Sequence, residues 1–258
     1  MFPFDIMDLG AGFRRFFEIV PALSDELREQ AYRIRHQVYC EELRFEPRRA
    51  DGRETDEYDA QSLHCLIRSV RSGKFVGCTR LVLARESDPL SPLPFERTCG
   101  SGIDRSIADP RKLPRDRIAE VSRLAIISQY RNRNGERGMH VPMSDESFGD
   151  AFRPRFPYIP VGLYLGIIEL ARLQGIDRIF VLTEPRLVRH FCRLGVEVTR
   201  IGAEIQHRGL RVPSMMSVPR IIAGLNFIVR PLYREIAREI REGLGAAAAE
   251  GDSLTLSA

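Results

Sequence analysis

The chain has no tryptophan among its 258 residues, and no apolar run approaches the roughly 18–20 residues needed to cross a bilayer. Its first twenty residues carry Asp5 and Asp8 early and Arg14 with Arg15 late. A secretory leader has the reverse order of charge, so a cytoplasmic protein without a membrane span is expected. Cysteine pairing is missing as well. Cys40, Cys65, Cys78, Cys99 and Cys192 are odd in number and scattered, with no CxxC spacing. They read as small buried side chains in a reducing compartment. His36, His64, His140, His190 and His207 never fall at a metal-ligand spacing, and no metal is expected. Arginine supplies most of the 39 basic residues, against 35 acidic ones, for a net charge of +4. Basic runs at 131–137 and 152–156, with Arg48 and Arg49, suit phosphate or an acidic protein partner. They come without a nucleic-acid-binding motif, so no nucleic acid is expected.

A hydrophobic content of 43% is enough for a sizeable core. Residues 13–20 read as a first strand, and Ser24 as the N-cap of a helix running through Glu42. A polar loop at 44–60 precedes two strands, 62–69 and 74–84, joined by a turn at 71–73 into an antiparallel hairpin. Pro, Gly and Ser make 89–114 a loop with a short helical turn. A long apolar strand follows at 117–128. The irregular stretch 129–160 is longer than ordinary connections and is read as an insertion that is either functional or mobile. The remaining pattern is helix 162–174 ended by Gly175, strand 177–184, helix 186–194, then strands 196–201 and 212–218. A helical segment at 221–244 is interrupted by Pro231, and a disordered tail is expected over 245–258. One α/β domain over 1–244 accommodates this order.

The first half carries a spaced set of charged and aromatic residues for which a family resemblance, carried by their spacing, implies acyl-transfer chemistry. Transfer from a thioester to an amine needs a base, hydrogen-bond donors for the developing oxyanion, and alignment of the two partners. Arg35 precedes Val38 and Tyr39, then come Phe45, Glu54, Asp56 and Asp59, then Gly77, Arg80 and Leu81, then Glu120 and Arg123. Glu120 is the candidate base. Glu120 and Arg123 have opposite parity on a regular strand. Either a bulge brings them together or only one of them lines the site. His190 and Cys192 point apart on a helix and form no dyad. Met139, Met143, Phe148, Phe152 and Phe156 either wall an acyl tunnel or form a lid over the sheet edge.

The order and spacing of these pieces over residues 30–130 resemble the acyl-homoserine-lactone synthase family, which shares the Gcn5-related N-acyltransferase fold. Phe45 stands where those synthases usually carry tryptophan. Stretches 162–171, 183–195 and 201–213 add a likeness to N-acyl amino acid synthases, in particular the acyltransferases associated with PEP-CTERM and exosortase systems. The resemblance implies a mixed, mostly antiparallel central sheet flanked by helices. It implies transfer of a medium or long fatty acyl chain from acyl carrier protein to the amine of a small acceptor, an amino acid first among them. Carried onto this chain, Glu120 and Arg123 are catalytic. Arg35, Tyr39, Phe45, Asp56, Asp59 and Arg80 bind substrate, and the backbone at Leu124, Ala125 and Ile126 meets the oxyanion and the pantetheine arm. Arg131, Arg133 and Arg137 are expected to dock the carrier. No cofactor is expected to stay bound. Acyl-CoA is the less favoured donor, because Gly135 and Gly138 do not reproduce the diphosphate cradle of acetyl-CoA enzymes and Glu136 opposes a phosphate. The alternatives are lactone synthesis from S-adenosylmethionine, a CoA-dependent acetyltransferase, and a non-catalytic module that binds acyl carrier protein or lipid.

Overall fold

The computed structural model describes residues 8–85, 87–131 and 157–249. An eight-stranded sheet organises them in the order β1-β2-β3-β4-β5-β8-β6, with β7 paired to β8. The strands are β1 (Phe17–Pro21), β2 (Ser62–Ser69), β3 (Phe75–Leu83), β4 (Ile118–Ile126), β5 (Arg178–Thr183), β6 (Thr199–Arg200), β7 (Ile205–Gln206) and β8 (Leu210–Ser217). Every pairing is antiparallel except β4 with β5. A mixed, mostly antiparallel sheet flanked by helices is therefore the architecture that the family resemblance implied.

The chain opens differently from the expected strand over 13–20. Leu9–Phe16 is a helix, α1, because the Asp8 carboxylate accepts the Ala11 N–H at 3.1 Å and caps it. Only Phe17 onward is extended. Ser24 does cap α2 (Asp25–Arg35), accepting the Leu27 N–H at 3.3 Å. The helix then widens to π geometry over His36–Glu42, with the Leu43 N–H reaching back to the Val38 carbonyl at 2.9 Å. After α3 (Pro94–Cys99) and the short α4 (Ser128–Arg131), helix α5 runs from Tyr158 to Leu173. It starts earlier than the expected 162, since Pro160 falls in the first turn, where a missing N–H costs nothing.

Helix α5 presses so closely on the sheet that a Cβ on Gly166 would lie 2.8 Å from the Cys65 sulfur. Its fully buried Glu169 accepts from Arg172 at 2.8 Å, from the Tyr233 hydroxyl at 2.6 Å and from Arg241 at 3.1 Å. That carboxylate ties α5 to α8 (Arg230–Ala249). Helix α6 (Pro185–Arg193) leads to only a two-residue β6, where a strand over 196–201 was expected. The helical segment expected over 221–244 with an interruption at Pro231 is two helices: α7 (Val218–Gly224) ends ahead of that proline, which sits in the first turn of α8. Helix α8 continues through Ala249, so 245–249 belong to it and not to a tail. The proposed tunnel residues Met139, Met143, Phe148, Phe152 and Phe156 lie outside the described residues.

Candidate active site

The parallel ladder between β4 and β5 ends at Val121 and Val181, although both strands continue. Beyond that point the strands diverge, and a cleft of about 190 Å³ opens between them. Val121 to Leu124 line one wall and Val181 to Thr183 the other, with Tyr164, Leu187 and Phe191 behind. The cleft is thus a break in the sheet where its parallel pair parts.

The question of parity in β4 is answered by a bulge. Arg80 of β3 faces Ser122 and Cys78 faces Ala125, so Thr79 stands opposite two residues, Arg123 and Leu124. Arg123 takes a left-handed backbone, φ 56°, which is uncommon for a side chain of that size. The extra residue swings Arg123 to the side of Glu120, and both line the cleft. The bulge, Arg123 with Leu124, overlaps the first residue of the backbone stretch expected to serve the oxyanion. Leu124 lines the cleft, whereas Ala125 and Ile126 are in register with Cys78 and Gly77 and bury their side chains.

Glu120 is 4% exposed and accepts the Phe95 N–H at 2.6 Å. Burial pushes its carboxyl up to about 7; the Phe95 hydrogen bond and the charges of Arg80 and Arg123 pull the other way without prevailing. Phe95 is fixed by stacking on Phe180, with centroids 4.5 Å apart and planes 10° apart. Each buried ring contributes about 1.5–3 kcal/mol of burial. The base candidate thus sits on a rigid apolar shelf.

Beside it lies a closed ionic cluster. Arg35 meets Glu54 at 2.5 Å and Asp59 at 2.6 Å. Arg80 meets Asp56 at 2.6 and 2.8 Å and Asp59 at 2.7 Å, and its Nε donates to the Ser122 hydroxyl at 3.1 Å. Arg123 Nη2 reaches Asp56 at 2.9 Å and Glu54 at 3.2 Å. Three guanidinium groups neutralise three carboxylates. Burial works against ionised Glu54, Asp56 and Asp59, yet the paired arginines hold all three below the usual carboxylate range. Arg35 and Arg80 are buried, engage the cluster's carboxylates or the Ser122 hydroxyl through every guanidinium nitrogen and do not line the cleft, so the expectation that they touch substrate there is corrected. Asp59 does not line the cleft either; it faces a wider groove on the far side of the cluster, beside Tyr32 and Arg53.

Tyr39 and Phe45 do line the cleft, and the π-helical turn explains how. The Tyr39 carbonyl accepts the N–H groups of Phe45 at 2.7 Å and Glu46 at 3.1 Å, folding the loop back. The Tyr39 hydroxyl donates to the Leu124 carbonyl at 2.8 Å, and the Arg123 guanidinium lies 5.9 Å from its ring centroid. Burial raises that phenol to about 12, which keeps it a donor at ordinary pH. Arg131 is corrected too. It is 5% exposed and bound to Glu42 at 3.0 Å, which leaves it no free face for a carrier protein. Arg133 and Arg137 lie outside the described residues.

Sequence reasoning missed the hairpin His207–Arg208–Gly209, which brings His207, Arg208 and Arg211 to the cleft mouth. The Arg208-Gly209 pair between two short extended runs was the available signal. Among the described residues no group of three His, Cys, Asp or Glu side chains could hold a metal ion. No helix among them is long and apolar enough to cross a membrane.

A splayed parallel pair in an otherwise antiparallel sheet, with a bulged strand at the splay, is the Gcn5-related acetyltransferase architecture. The family described as "Acetyltransferase (GNAT) domain" matches residues 34–140. An acyl-homoserine-lactone synthase of Rhizobium radiobacter is 24% identical over 177 residues, 69% of this chain and 71% of the relative. Among solved structures, the CoA-dependent acyl-homoserine-lactone synthase BjaI, with SAM and isopentyl-CoA, superposes with a TM-score of 0.54. It is 19% identical over 86% of this chain and 89% of its own. FeeM, an N-acyl amino acid synthase from uncultured soil microbes, gives 0.51 at 14% identity over 82% and 96% of the two chains. Residues 34–140 thus match a GNAT acetyltransferase domain, and the chain is similar in sequence to acyl-homoserine-lactone synthases and in fold to an N-acyl amino acid synthase.

Proposed function

We propose that this protein is an N-acyltransferase that moves a medium- or long-chain fatty acyl group from acyl carrier protein to the amine of an amino acid, in the cytoplasm. The observation that carries the reading is Glu120. It is a carboxylate tuned to about 7, lining the opening between β4 and β5 beside a bulged strand. A base at that value is matched to deprotonating an amine at neutral pH. In the reaction, the acceptor nitrogen attacks the thioester carbonyl while Glu120 takes a proton from it, directly or through water. The oxyanion is met by backbone N–H groups at the bulge. Collapse breaks the C–S bond, and the departing sulfur takes a proton to leave as the carrier's thiol, with an amide formed. Arg35, Arg80, Asp56 and Asp59 act as positioning residues, holding Arg123 and the bulge in place.

Glu42 supports the carrier-bound donor over CoA. Its two oxygens accept the Ser128 N–H at 3.1 and 3.0 Å, and Arg131 completes the pair. The first turn after β4, where the resemblance to acetyl-CoA enzymes puts a diphosphate, is thus filled by the protein's own anion. The absence of tryptophan, with Phe45 at the cleft, supports an amino acid over S-adenosylmethionine as acceptor. The second reading, lactone synthesis, is favoured by the homology to acyl-homoserine-lactone synthases.

The test is incubation of the purified protein with acyl carrier thioesters of graded chain length, mixed amino acids and, separately, S-adenosylmethionine. Mass spectrometry is expected to find N-acyl amino acid and free carrier thiol. Lactone from S-adenosylmethionine with no N-acyl amino acid selects the second reading, and no thiol release under any condition rejects both.

A further inference from the structure

The amino acid acceptor carries a carboxylate as well as an amine, and a buried carboxylate without a cationic partner is costly. Among the described residues, three arginines line the cleft: Arg123, Arg208 and Arg211. Arg123 meets two carboxylates of the cluster, Glu54 and Asp56, through Nη2 alone, and its buried Nε has no partner among the described residues. Arg211 is pinned at three points, donating to Glu184 at 3.1 Å and to the carbonyls of His207 at 3.2 Å and Arg208 at 3.0 Å. Arg208 is different. Its Nη2 pairs with Glu46, and among the described residues no other carboxylate meets its guanidinium. Its side chain is 29% exposed at the mouth of the cleft. The chain geometry fixes where it stands: Arg208 and Gly209 both take positive φ, 52° and 97°, as a tight hairpin turn demands.

We infer that Arg208, presented by the β7–β8 hairpin, is the residue that binds the acceptor's carboxylate. This rests on the amino acid reading of the same cleft. A guanidinium holding one carboxylate through a single amine has donors left for a second, and its planar fork suits a carboxylate in two parallel hydrogen bonds. Glu46, on the opposite lip, holds the guanidinium across the mouth until the acceptor arrives. Glu46 is itself anchored by its backbone N–H on the Tyr39 carbonyl at 3.1 Å, so the lip that orients Arg208 is the one that presents Tyr39 and Phe45. His207 next to it is kept neutral by burial and by the charges of Arg208 and Arg211, and adds no competing cation.

The experiment compares wild type with Arg208→Ala and Arg208→Lys on two acceptors, an amino acid and the carboxamide of the same amino acid. One saturating acyl carrier thioester serves throughout. For Arg208→Ala, the KM for the amino acid is expected to rise roughly 10–100-fold, the loss typical of a charge-assisted contact. The KM for the carboxamide and the KM for the thioester stay within about twofold of wild type. Arg208→Lys recovers part of the amino acid KM, since it restores charge without the fork. Equal damage to both acceptors, or none to either, overturns the assignment while leaving the amino acid reading intact. Wild-type protein that acylates no amino acid removes that reading, and the role of Arg208 with it.

Discussion

Four carboxylates surround the middle of β4, and they meet opposite fates. Glu54, Asp56 and Asp59 are matched by Arg35, Arg80 and Arg123, so pairing outweighs the burial that opposes their charge and leaves them ionised. Glu120, on the same strand as Arg123, has a backbone N–H where the others have a guanidinium, and burial lifts it to about 7. The same low-dielectric surroundings make three acids inert and one reactive. What differs is the nearest donor. Partner identity, more than depth, separates scaffold from base.

The largest expected effect comes from removing the reactive member. Glu120→Gln keeps an oxygen for the Phe95 N–H and is expected to retain the fold while turnover drops about 10²–10⁴-fold. In the wild type, kcat/KM is expected to rise with pH through a limb near 7 as Glu120 loses its proton, and the variant loses that limb. Single-turnover acyl transfer across pH 5.5–8.5, roughly the window spanning that titration, reads both. A variant with the wild-type rate and limb means the proton is taken elsewhere.

Breaking the inert set acts on stability first. Arg35→Met leaves Glu54 and Asp59 facing each other with one counter-charge gone, and such losses cost about 3–5 kcal/mol. Urea unfolding is the measurement, and Asp59→Asn added to Arg35→Met is expected to recover part of the loss, because it removes the orphaned charge. A cost below about 1 kcal/mol would place these groups with solvated surface pairs and erase the contrast with Glu120.

How far this contrast was legible in the sequence depended on whether the signal was local. The hairpin β2–β3, the caps on α2 and the helix ended by Gly175 were readable, because alternation and capping chemistry act over a few neighbours. The spacing of Arg35, Asp56, Asp59, Arg80, Glu120 and Arg123 marked the site. It did not tell that Arg35 and Arg80 would be buried in ion pairs away from the cleft lining, since pairing is a property of packed side chains. The bulge at Arg123 left no trace beyond a parity conflict between two charged residues. Arg131 looked like surface charge in a basic run, and only the distant Glu42 makes it buried. The first strand was misplaced because Asp8, a cap, lay ahead of an aromatic run that also suits extended chain.

The smallest expected effect is the sharpest, because it reverses sign between the two kinds of acid. Glu120 has its folded-state value raised from 4.5 to about 7, so between those limits the folded chain binds a proton that the unfolded chain has released. Its contribution to stability therefore falls as pH rises through that window and stays low above it, by at most about 3 kcal/mol. Glu120→Gln removes the titration, and at pH near 8 the variant is expected to be more stable than wild type, with the gap closing toward pH 5. Asp59 is depressed from 3.8, so its contribution is present above that value and is lost as pH falls through its folded-state range. Asp59→Asn is accordingly expected to destabilise at neutral pH, with the difference shrinking in acid. Thermal unfolding of both variants against wild type over a pH series gives two curves of opposite slope. Parallel curves would mean that Glu120 is solvated and ionised like an ordinary carboxylate, and the distinction between base and scaffold would not hold.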